Sequence, residues 1–250
     1  MGLITYQFTS KMLELSVTVN VLIPGELKEG KKYPVLYLLH GYMGNHSDWI
    51  RFTSIERYLW EYDLIVVIPD GHQSYYTDFK HGLPYFTHLA VELPEHLGRL
   101  LPLSNDRNDH SVCGLSMGGY GAMKMALTYP EYFARVGSFS GALDPDRIRT
   151  NIENRKGLFQ AIFGDEPVKG TPNDLKHLIE TIIEQKKDMP DFYLACGTED
   201  FLYPTHEDFK SFLEQKHIKF THYETKGAHT WAFWDMIIQR YLRYIHQQGR

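Results

Sequence analysis

Five short, almost continuously apolar runs recur along the chain, and each has the length of one strand. They lie at Tyr33–His40, Leu64–Pro69, Val112–Gly114, Arg135–Ser140 and Phe192–Cys196. Continuous apolar runs of this length are typical of strands that are buried on both faces of a sheet. The chain therefore predicts a sheet whose central strands are covered on both sides.

Segments with helical character separate these runs, near residues 47–61, 88–101, 118–128, 172–187, 205–216 and 231–247. Strands that alternate with helices predict an α/β fold, with a mostly parallel central sheet and helices on both faces. Ahead of them, residues 11–23 alternate apolar and polar side chains, which predicts an antiparallel strand pair or a long edge strand. Sheets of this class bind ligands at the carboxyl ends of their strands.

Residues 1–250 predict a single domain, because no repeat, low-complexity tract or long linker divides the chain. Residues 144–190 are polar, contain several Gly and Pro residues, and are long for one crossover connection. Two interpretations of this segment stay open. It forms a small lid-like insertion over the site, or it is an ordinary surface helix with loops.

Composition and charge exclude several classes of protein. A net charge of −5 argues against a nucleic-acid partner, which would call for a basic face. No apolar run reaches the roughly 18 residues of a membrane span. The first residues lack a basic start and an apolar signal core, so we expect a cytoplasmic protein. Cys113 and Cys196 lie in apolar runs and are expected to be buried free thiols. A homo-oligomer is compatible with the sequence.

Gly114-Leu115-Ser116-Met117-Gly118 carries the strongest functional signal. It follows a strand-like run and precedes a helix-prone one, so the serine stands at a sharp strand-to-helix turn. Such a turn leaves no room for side chains two residues before and after the serine, and both positions are glycine. The helix that follows directs its N-terminus toward the place where negative charge would develop. Ser116 is therefore a candidate nucleophile.

A nucleophilic serine needs a histidine base and a carboxylate that orients it, in the chain order Ser, acid, His. Asp200 follows a late strand and is the candidate acid, with Glu199 as the near alternative and Asp144 as a weaker one. His229 lies in the last strand-to-helix loop, after Asp200, and is the candidate base. Two other histidines are less suitable as the base: His217 is predicted to be exposed, and His222 is predicted to lie on a strand.

An acyl-transfer site also needs fixed donors for an oxyanion. We expect the backbone N–H of Met117 to be one and that of Tyr42 to be the other, with Met43 as an alternative to Tyr42. His40 is expected to brace this loop. Bulky side chains are expected to crowd a small substrate pocket: Tyr42, Met43, Met117, Trp231, Phe233 and Trp234. No metal-ligand spacing or cofactor fingerprint is present, so no metal or cofactor is expected.

Together these motifs resemble one known family. Val35–Gly41, Pro69–Gly71, Gly114–Ala122 and Gly227–Trp231 occur in the order found in the esterase D-like branch of the α/β-hydrolases. The branch includes S-formylglutathione hydrolases, feruloyl and acetylxylan esterases, mycolyltransferases and small bacterial tributyrin esterases. The likeness extends from about residue 12 to 245. It is greatest to the tributyrin esterases, because the chain is short and starts directly with the edge strands.

This resemblance implies a serine carboxylesterase for short acyl esters, acetyl to butyryl, with acetylated sugars as plausible substrates. Feruloyl esterase, S-formylglutathione hydrolase and acyltransferase activities are the alternatives. The thioester substrate is disfavoured, because the loop His40-Gly41-Tyr42-Met43 departs from the Ser-Gly-Leu-Thr-Cys pattern of those hydrolases. The alternative from a different class is a non-catalytic binding protein on the same fold.

Overall fold

Eight strands form one sheet in the order β1-β2-β4-β3-β5-β6-β7-β8 in the computed structural model, which describes residues 1–151 and 153–248. The strands are Gly2–Ser10, Leu15–Ile23, Val35–Leu39, Ile65–Pro69, His110–Leu115, Arg135–Phe139, Asp191–Gly197 and Phe220–Thr225. Strand β2 pairs antiparallel with β1 and β4, and every other pairing is parallel. The mostly parallel α/β sheet predicted by the apolar runs is confirmed.

The antiparallel edge differs from the prediction. Residues 11–23 do not hold a strand pair. They hold a turn and the single strand β2, which pairs with β1 at Gly2–Ser10. Strand β1 lies at the edge of the sheet with most of its side chains exposed or half-buried. An edge strand of this kind lacks the continuous apolar run that marks a central one.

Ten α-helices connect and cover the strands within the described residues. They are α1 Asp48–Phe52, α2 Ile55–Tyr58, α3 Tyr85–Thr87, α4 Leu93–Leu100, α5 Met117–Thr128, α6 Pro145–Asn151, α7 Lys156–Phe163, α8 Leu175–Gln185, α9 Tyr203–Gln215 and α10 Trp231–Gln248. A π-helical turn, His88–Glu92, leads into α4. None of these helices is both long and apolar enough to cross a bilayer.

The core consists of two layers, one on each face of the sheet. Val35, Tyr37 and Leu39 of β3 point into one layer, with residues of α4, α5, α7, α8 and α9. Leu36 and Leu38 point into the other, with residues of α1, α2 and α10. All five β3 side chains are fully buried, which is the pattern expected for a central parallel strand.

Residues 144–190 divide into two parts. Helix α8 is an ordinary crossover helix, since Ile179 and Ile182 are buried in the core layer that α5 also faces. Helix α7 instead lies over the residues that follow β4, where the ring of Phe159 contacts that of Tyr75 at 4.7 Å. A lid-like role for this first part stays a prediction.

Helix α5 buries a lysine near its middle. Lys124 is 3 % exposed, and its Nζ donates to Thr77 Oγ1 at 3.0 Å and to Asn173 Oδ1 at 2.6 Å. The Nζ also lies 4.5 Å from the centre of the Phe86 ring. Burial disfavours the ammonium form and lowers the pKa of Lys124 from 10.5 to about 7.

We expect Lys124→Met to raise the free energy of unfolding by about 1–3 kcal/mol at pH 6, because it removes a buried charge. Between the folded pKa of about 7 and the unfolded value of 10.5, the unfolded chain binds a proton that the native chain lacks. Native stability therefore rises with pH in this window, and the advantage of Lys124→Met should shrink toward pH 10.

Urea unfolding of both proteins at pH 6 and pH 10 measures this difference. Lys187→Met is the matched control, because Lys187 is exposed and its loss should change little. A Lys124→Met protein less stable than the parent at both pH values would contradict the expectation.

Candidate active site

The turn between β5 and α5 has the strained form that its glycines predict. Ser116 adopts φ 54° and ψ −117°, a conformation that L-residues rarely take. A Cβ on Gly114 would lie 2.5 Å from the Gly118 carbonyl carbon. One on Gly118 would lie 2.5 Å from the His40 carbonyl oxygen. Only glycine fits at both positions, and the turn holds the Ser116 side chain at the carboxyl end of the sheet.

Three side chains from separate loops form a continuous hydrogen-bonded chain. His229 Nε2 lies 3.0 Å from Ser116 Oγ, and His229 Nδ1 lies 2.8 Å from Asp200 Oδ2. The residues follow β5, β7 and β8, so parallel strands bring their carboxyl ends to one place. They are up to 113 positions apart in sequence. The structure thus brings together the candidate nucleophile, base and acid.

Asp200 is placed to remain ionised. Burial acts to raise the pKa of this carboxyl, but hydrogen bonds from His229 and the Leu202 backbone, together with the polar Ser140 hydroxyl, outweigh it, and the pKa lies below its usual range. The Leu202 N–H donates to Asp200 Oδ1 at 2.8 Å. A buried carboxylate beside Nδ1 fixes the tautomer in which His229 Nε2 is free to accept a proton.

Ser140 is a site residue that the sequence interpretation missed. Its hydroxyl accepts the Trp234 indole N–H at 3.2 Å, and it also helps to lower the pKa of the Asp200 carboxyl. Ser140 follows β6, is fully buried, and adopts φ 48°. Its only sequence signal is a polar residue at the end of an apolar run. That position is the carboxyl end of a strand beside the nucleophile strand.

The two alternative acids lie elsewhere. Glu199 is exposed and faces Lys226 Nζ at 3.6 Å. Asp144 Oδ1 accepts the Arg147 N–H at 3.0 Å, at the start of α6. Neither carboxylate has a hydrogen bond to His229 among those that the described chain forms, whereas Asp200 has two.

The loop after β3 runs beside the nucleophile. A Cβ on Gly41 would lie 3.6 Å from Ser116 Cβ, so the Gly41–Tyr42 peptide passes along the serine. Met117 is the first residue of α5, where a backbone N–H has no partner inside the helix. These positions agree with a pair of backbone donors on Tyr42 and Met117.

His40 has the bracing contacts expected of it. Its Nδ1 donates to the Gly41 carbonyl at 2.7 Å, and its Nε2 accepts the Gly71 N–H at 2.8 Å. The side chain is fully buried, and it connects the loop after β3 to the loop after β4.

A cavity of about 680 Å³ opens over Ser116 and His229. Its aromatic wall consists of Phe52, Phe201, Trp231 and Trp234, and the edge of Trp234 meets His229 at 4.8 Å between ring centres. Tyr42 and Met43 also line it, but the Met43 side chain is 90 % exposed and stands at the rim.

Two pocket expectations are wrong. The side chains of Met117 and Phe233 are buried in the core layers, away from the cavity wall. Met117 points inward because the first turn of α5 packs on the sheet.

The cavity also contains Arg155, which the sequence did not predict. It precedes α7, lines the cavity, lies 3.6 Å from the Tyr42 ring centre and donates to the Tyr75 hydroxyl at 3.0 Å.

One cluster of candidate metal ligands occurs among the described residues: His206, Glu207 and Glu224. The Lys210 ammonium lies between the two carboxylates, at 2.5 Å from Glu207 Oε1 and 2.8 Å from Glu224 Oε1. This ammonium offsets part of the negative charge of the two carboxylates.

Comparison with known proteins identifies the family. The model of the Esterase family, described as "Putative esterase", matches residues 10–245. The chain belongs to this family. A relative is the acetyl esterase of Caldicellulosiruptor saccharolyticus, 31% identical over 255 residues that cover 95% of this chain and 96% of the relative. The resemblance to the esterase D-like α/β-hydrolases is confirmed.

Solved structures agree with this assignment. The substrate-bound serine hydrolase FphF of Staphylococcus aureus superposes with a TM-score of 0.92 at 29% identity, covering 98% of both chains. The S-formylglutathione hydrolase FrmB of the same organism gives a TM-score of 0.88 at 29% identity, again covering 98% of both chains. The chain is therefore a carboxylic ester hydrolase with the α/β-hydrolase fold, and the alternative of a non-catalytic binding protein is set aside.

Proposed function

We propose that this esterase hydrolyses short-chain acyl esters, acetyl to butyryl, through an acyl-enzyme on Ser116. The hydrogen-bonded chain from Ser116 Oγ through His229 to Asp200, with spacings of 3.0 Å and 2.8 Å, carries the proposal. These spacings suit proton transfer, and the buried carboxylate favours the imidazolium that forms. The 31% identical relative named as an acetyl esterase supports a small acyl group.

The proposed reaction has two halves. His229 Nε2 takes the proton of Ser116 as Oγ attacks the ester carbonyl carbon. The N–H groups of Tyr42 and Met117 stabilise the oxyanion of the tetrahedral intermediate. The C–O bond to the alcohol then breaks, and His229 gives its proton to the departing oxygen. Water, deprotonated by His229, attacks the acyl-enzyme. His229 then returns this proton to Ser116 Oγ as the bond to the acyl group breaks, which releases the carboxylic acid and free Ser116.

The aromatic wall supports a limit on acyl length. Trp234 meets His229 directly, and Trp231 meets Trp234 at 5.3 Å between ring centres, so bulky rings stand close to the reacting carbonyl. Each methylene that fits should gain about 0.8 kcal/mol, and the first that does not fit should lose more through overpacking. We expect kcat/KM to be highest for acetyl to butyryl esters and to fall steeply by octanoyl.

The measurement is kcat/KM across p-nitrophenyl esters with acyl chains of about two to twelve carbons. Successive esters differ only in acyl length, so the differences in kcat/KM report the contacts of the acyl chain with the pocket. A maximum at the octanoyl ester or beyond would contradict the proposed pocket and indicate an open acyl channel.

A second candidate is an aromatic acyl ester such as a feruloyl ester. Phe52 and Phe201 line the cavity with 45 % and 63 % of their surfaces exposed, and exposed rings can stack on a planar acyl group. Methyl ferulate and methyl acetate have the same methanol leaving group, so the ratio of their kcat/KM values separates the two candidates. A kcat/KM for methyl ferulate above that for methyl acetate would favour the second.

Ser140 is proposed as a positioning residue, so Ser140→Ala should lower kcat about 10–100-fold with little change in KM. The substitution removes a hydroxyl that holds Trp234 beside His229 and helps to keep the buried Asp200 ionised, an effect of about 1.5–3 kcal/mol. Steady-state kinetics with p-nitrophenyl acetate measure this split.

Ser138→Ala is the matched control, because Ser138 lies two residues earlier and its buried Oγ has no hydrogen-bond partner in the described chain. An equal loss of kcat in Ser140→Ala and Ser138→Ala would show that local packing accounts for the effect and that Ser140 has no positioning role.

A further inference from the structure

The loop after β3, residues 41–45, carries the Tyr42 N–H that the proposed reaction uses as an oxyanion donor. Its backbone is held at Gly41, whose carbonyl accepts a hydrogen bond from His40 Nδ1 at 2.7 Å. The Met43 side chain is 90 % exposed and adds little packing to the loop. The direction of the Tyr42 N–H therefore depends on the contacts that hold the Tyr42 side chain.

The half-buried Tyr42 side chain lies against Arg155 and Tyr75. The guanidinium carbon of Arg155 lies 3.6 Å from the centre of the Tyr42 ring, and the centre of the Tyr75 ring lies 6.0 Å from it. Arg155 Nη1 also donates to the Tyr75 hydroxyl at 3.0 Å. A guanidinium is attracted to the face of an aromatic ring, and its planar fork can stack and hydrogen-bond at the same time. One arginine side chain thus fixes both tyrosines.

Arg155 is itself held in place, because it directly precedes α7 and this helix is anchored over the loop after β4. Near the end of α7, the Ile162 carbonyl accepts the Lys80 N–H at 2.9 Å. In the middle of the helix, the buried Phe159 ring contacts the ring of Tyr75 at 4.7 Å between centres. Tyr75 is 1 % exposed and adopts φ 49°, an uncommon conformation that surrounding contacts must enforce. Arg155 therefore links a fixed helix to the loop beside the nucleophile.

We propose that Arg155 is a positioning residue for ester hydrolysis, which directs the Tyr42 N–H toward the oxyanion by holding the Tyr42 ring. The inference rests on the proposed function, in which this N–H stabilises the tetrahedral intermediate. Donors that are fixed in advance stabilise developing charge well, because they need not reorient during the reaction. Without the guanidinium, the Tyr42 ring and the loop can adopt other orientations, and the donor loses part of its effect in the transition state.

Arg155→Ala should lower kcat for p-nitrophenyl acetate about 10–100-fold with little change in KM, because complete loss of one oxyanion donor costs about 10²–10³-fold and a loosely held donor should cost less. Trifluoroacetophenone measures the same interaction without turnover. Its adduct with a serine is tetrahedral and places an oxyanion at the position of the intermediate's oxygen. The inhibition constant of this ketone should rise by the same factor as kcat/KM falls, since both report binding of the tetrahedral state.

A double-mutant cycle measures whether Arg155 acts through Tyr42. Tyr42→Leu keeps the backbone N–H but removes the aromatic face, so Arg155→Ala should have a smaller effect in the Tyr42→Leu background than in the parent. Tyr75→Phe removes only the hydroxyl that accepts from Arg155 and keeps the ring. It should lower kcat about 3–10-fold, and it tests the same contact with a smaller change in packing than Arg155→Ala.

Arg57→Ala is the matched control. Arg57 is an exposed arginine that stacks on the Tyr58 ring at 5.7 Å, and it is not among the described residues that line the catalytic cavity. The control should leave both kcat and the inhibition constant unchanged. Thermal unfolding of every variant checks that it is folded.

Three outcomes would overturn a part of this account. If Arg155→Ala and Tyr75→Phe matched Arg57→Ala in kcat and in the inhibition constant, the role of Arg155 would be refuted while the esterase proposal stood. An equal effect of Arg155→Ala in the parent and the Tyr42→Leu backgrounds would also refute it, and would indicate a direct contact of Arg155 with the substrate. If the parent neither hydrolysed p-nitrophenyl acetate nor bound trifluoroacetophenone, the proposed function itself would be contradicted.

Discussion

Replacing Ser116 by alanine should lower the kcat of ester hydrolysis by about 10⁴–10⁶-fold, the loss typical of a nucleophile in a catalytic triad. The substitution removes only the Oγ atom, which is the atom that attacks the ester carbonyl carbon. The Cβ and the backbone of the turn remain, so the strained conformation at φ 54° is not changed by a new clash. Residual activity would come from the oxyanion donors and from binding alone.

Steady-state hydrolysis of p-nitrophenyl acetate measures this loss, with thermal unfolding as the check on folding. Ser211→Ala is a suitable control, because Ser211 is an exposed serine on α9. If Ser116→Ala kept a tenth of the parent rate, Ser116 would not be the nucleophile.

His229→Ala should lose nearly as much activity as Ser116→Ala, and Asp200→Asn somewhat less. The side chains act as a unit, so the serine is inert without its base and the base is misoriented without its acid. Because Asp200 is buried against Nδ1, its amide replacement would favour the wrong tautomer of His229. The double variant Ser116→Ala/His229→Ala should be no slower than either single variant.

The same assay on the other carboxylates tests the choice of acid. Glu199→Gln and Asp144→Asn should each keep most of the activity, since neither carboxylate bonds to His229 in the described chain. If either substitution lowered kcat more than Asp200→Asn does, that residue and not Asp200 would be the acid of the triad.

Much of the fold follows from sequence because central parallel strands carry their own signal. The continuous apolar runs at β3 and β4 are buried on both faces, as such runs require. Strand β1 could not be found this way. Most of its side chains are exposed or half-buried, and its place depends on pairing with β2 across a hairpin. Edge strands are defined by partners more than by their own residues.

The residues of the site likewise fall into those that the sequence predicts and those that it does not. Ser116, Asp200 and His229 could be selected from sequence because each lies in a turn whose position in chain order has a chemical meaning. Ser140 and Arg155 could not, because their contacts depend on the packing of β6 against Trp234 and of α7 against Tyr42. The burial of Lys124 also arises only from the meeting of α5 with other elements.

The most direct test of the account is covalent labelling with a serine-directed organophosphate such as paraoxon, followed by intact-mass and peptide mass spectrometry. The phosphoryl group mimics the acyl carbonyl and stays on the attacking oxygen. The account predicts one adduct per chain, located on Ser116, with hydrolysis lost in proportion to labelling and no adduct in Ser116→Ala. An adduct on another residue that accompanies the loss of activity, or full activity in a chain labelled at Ser116, would contradict an acyl-enzyme on Ser116.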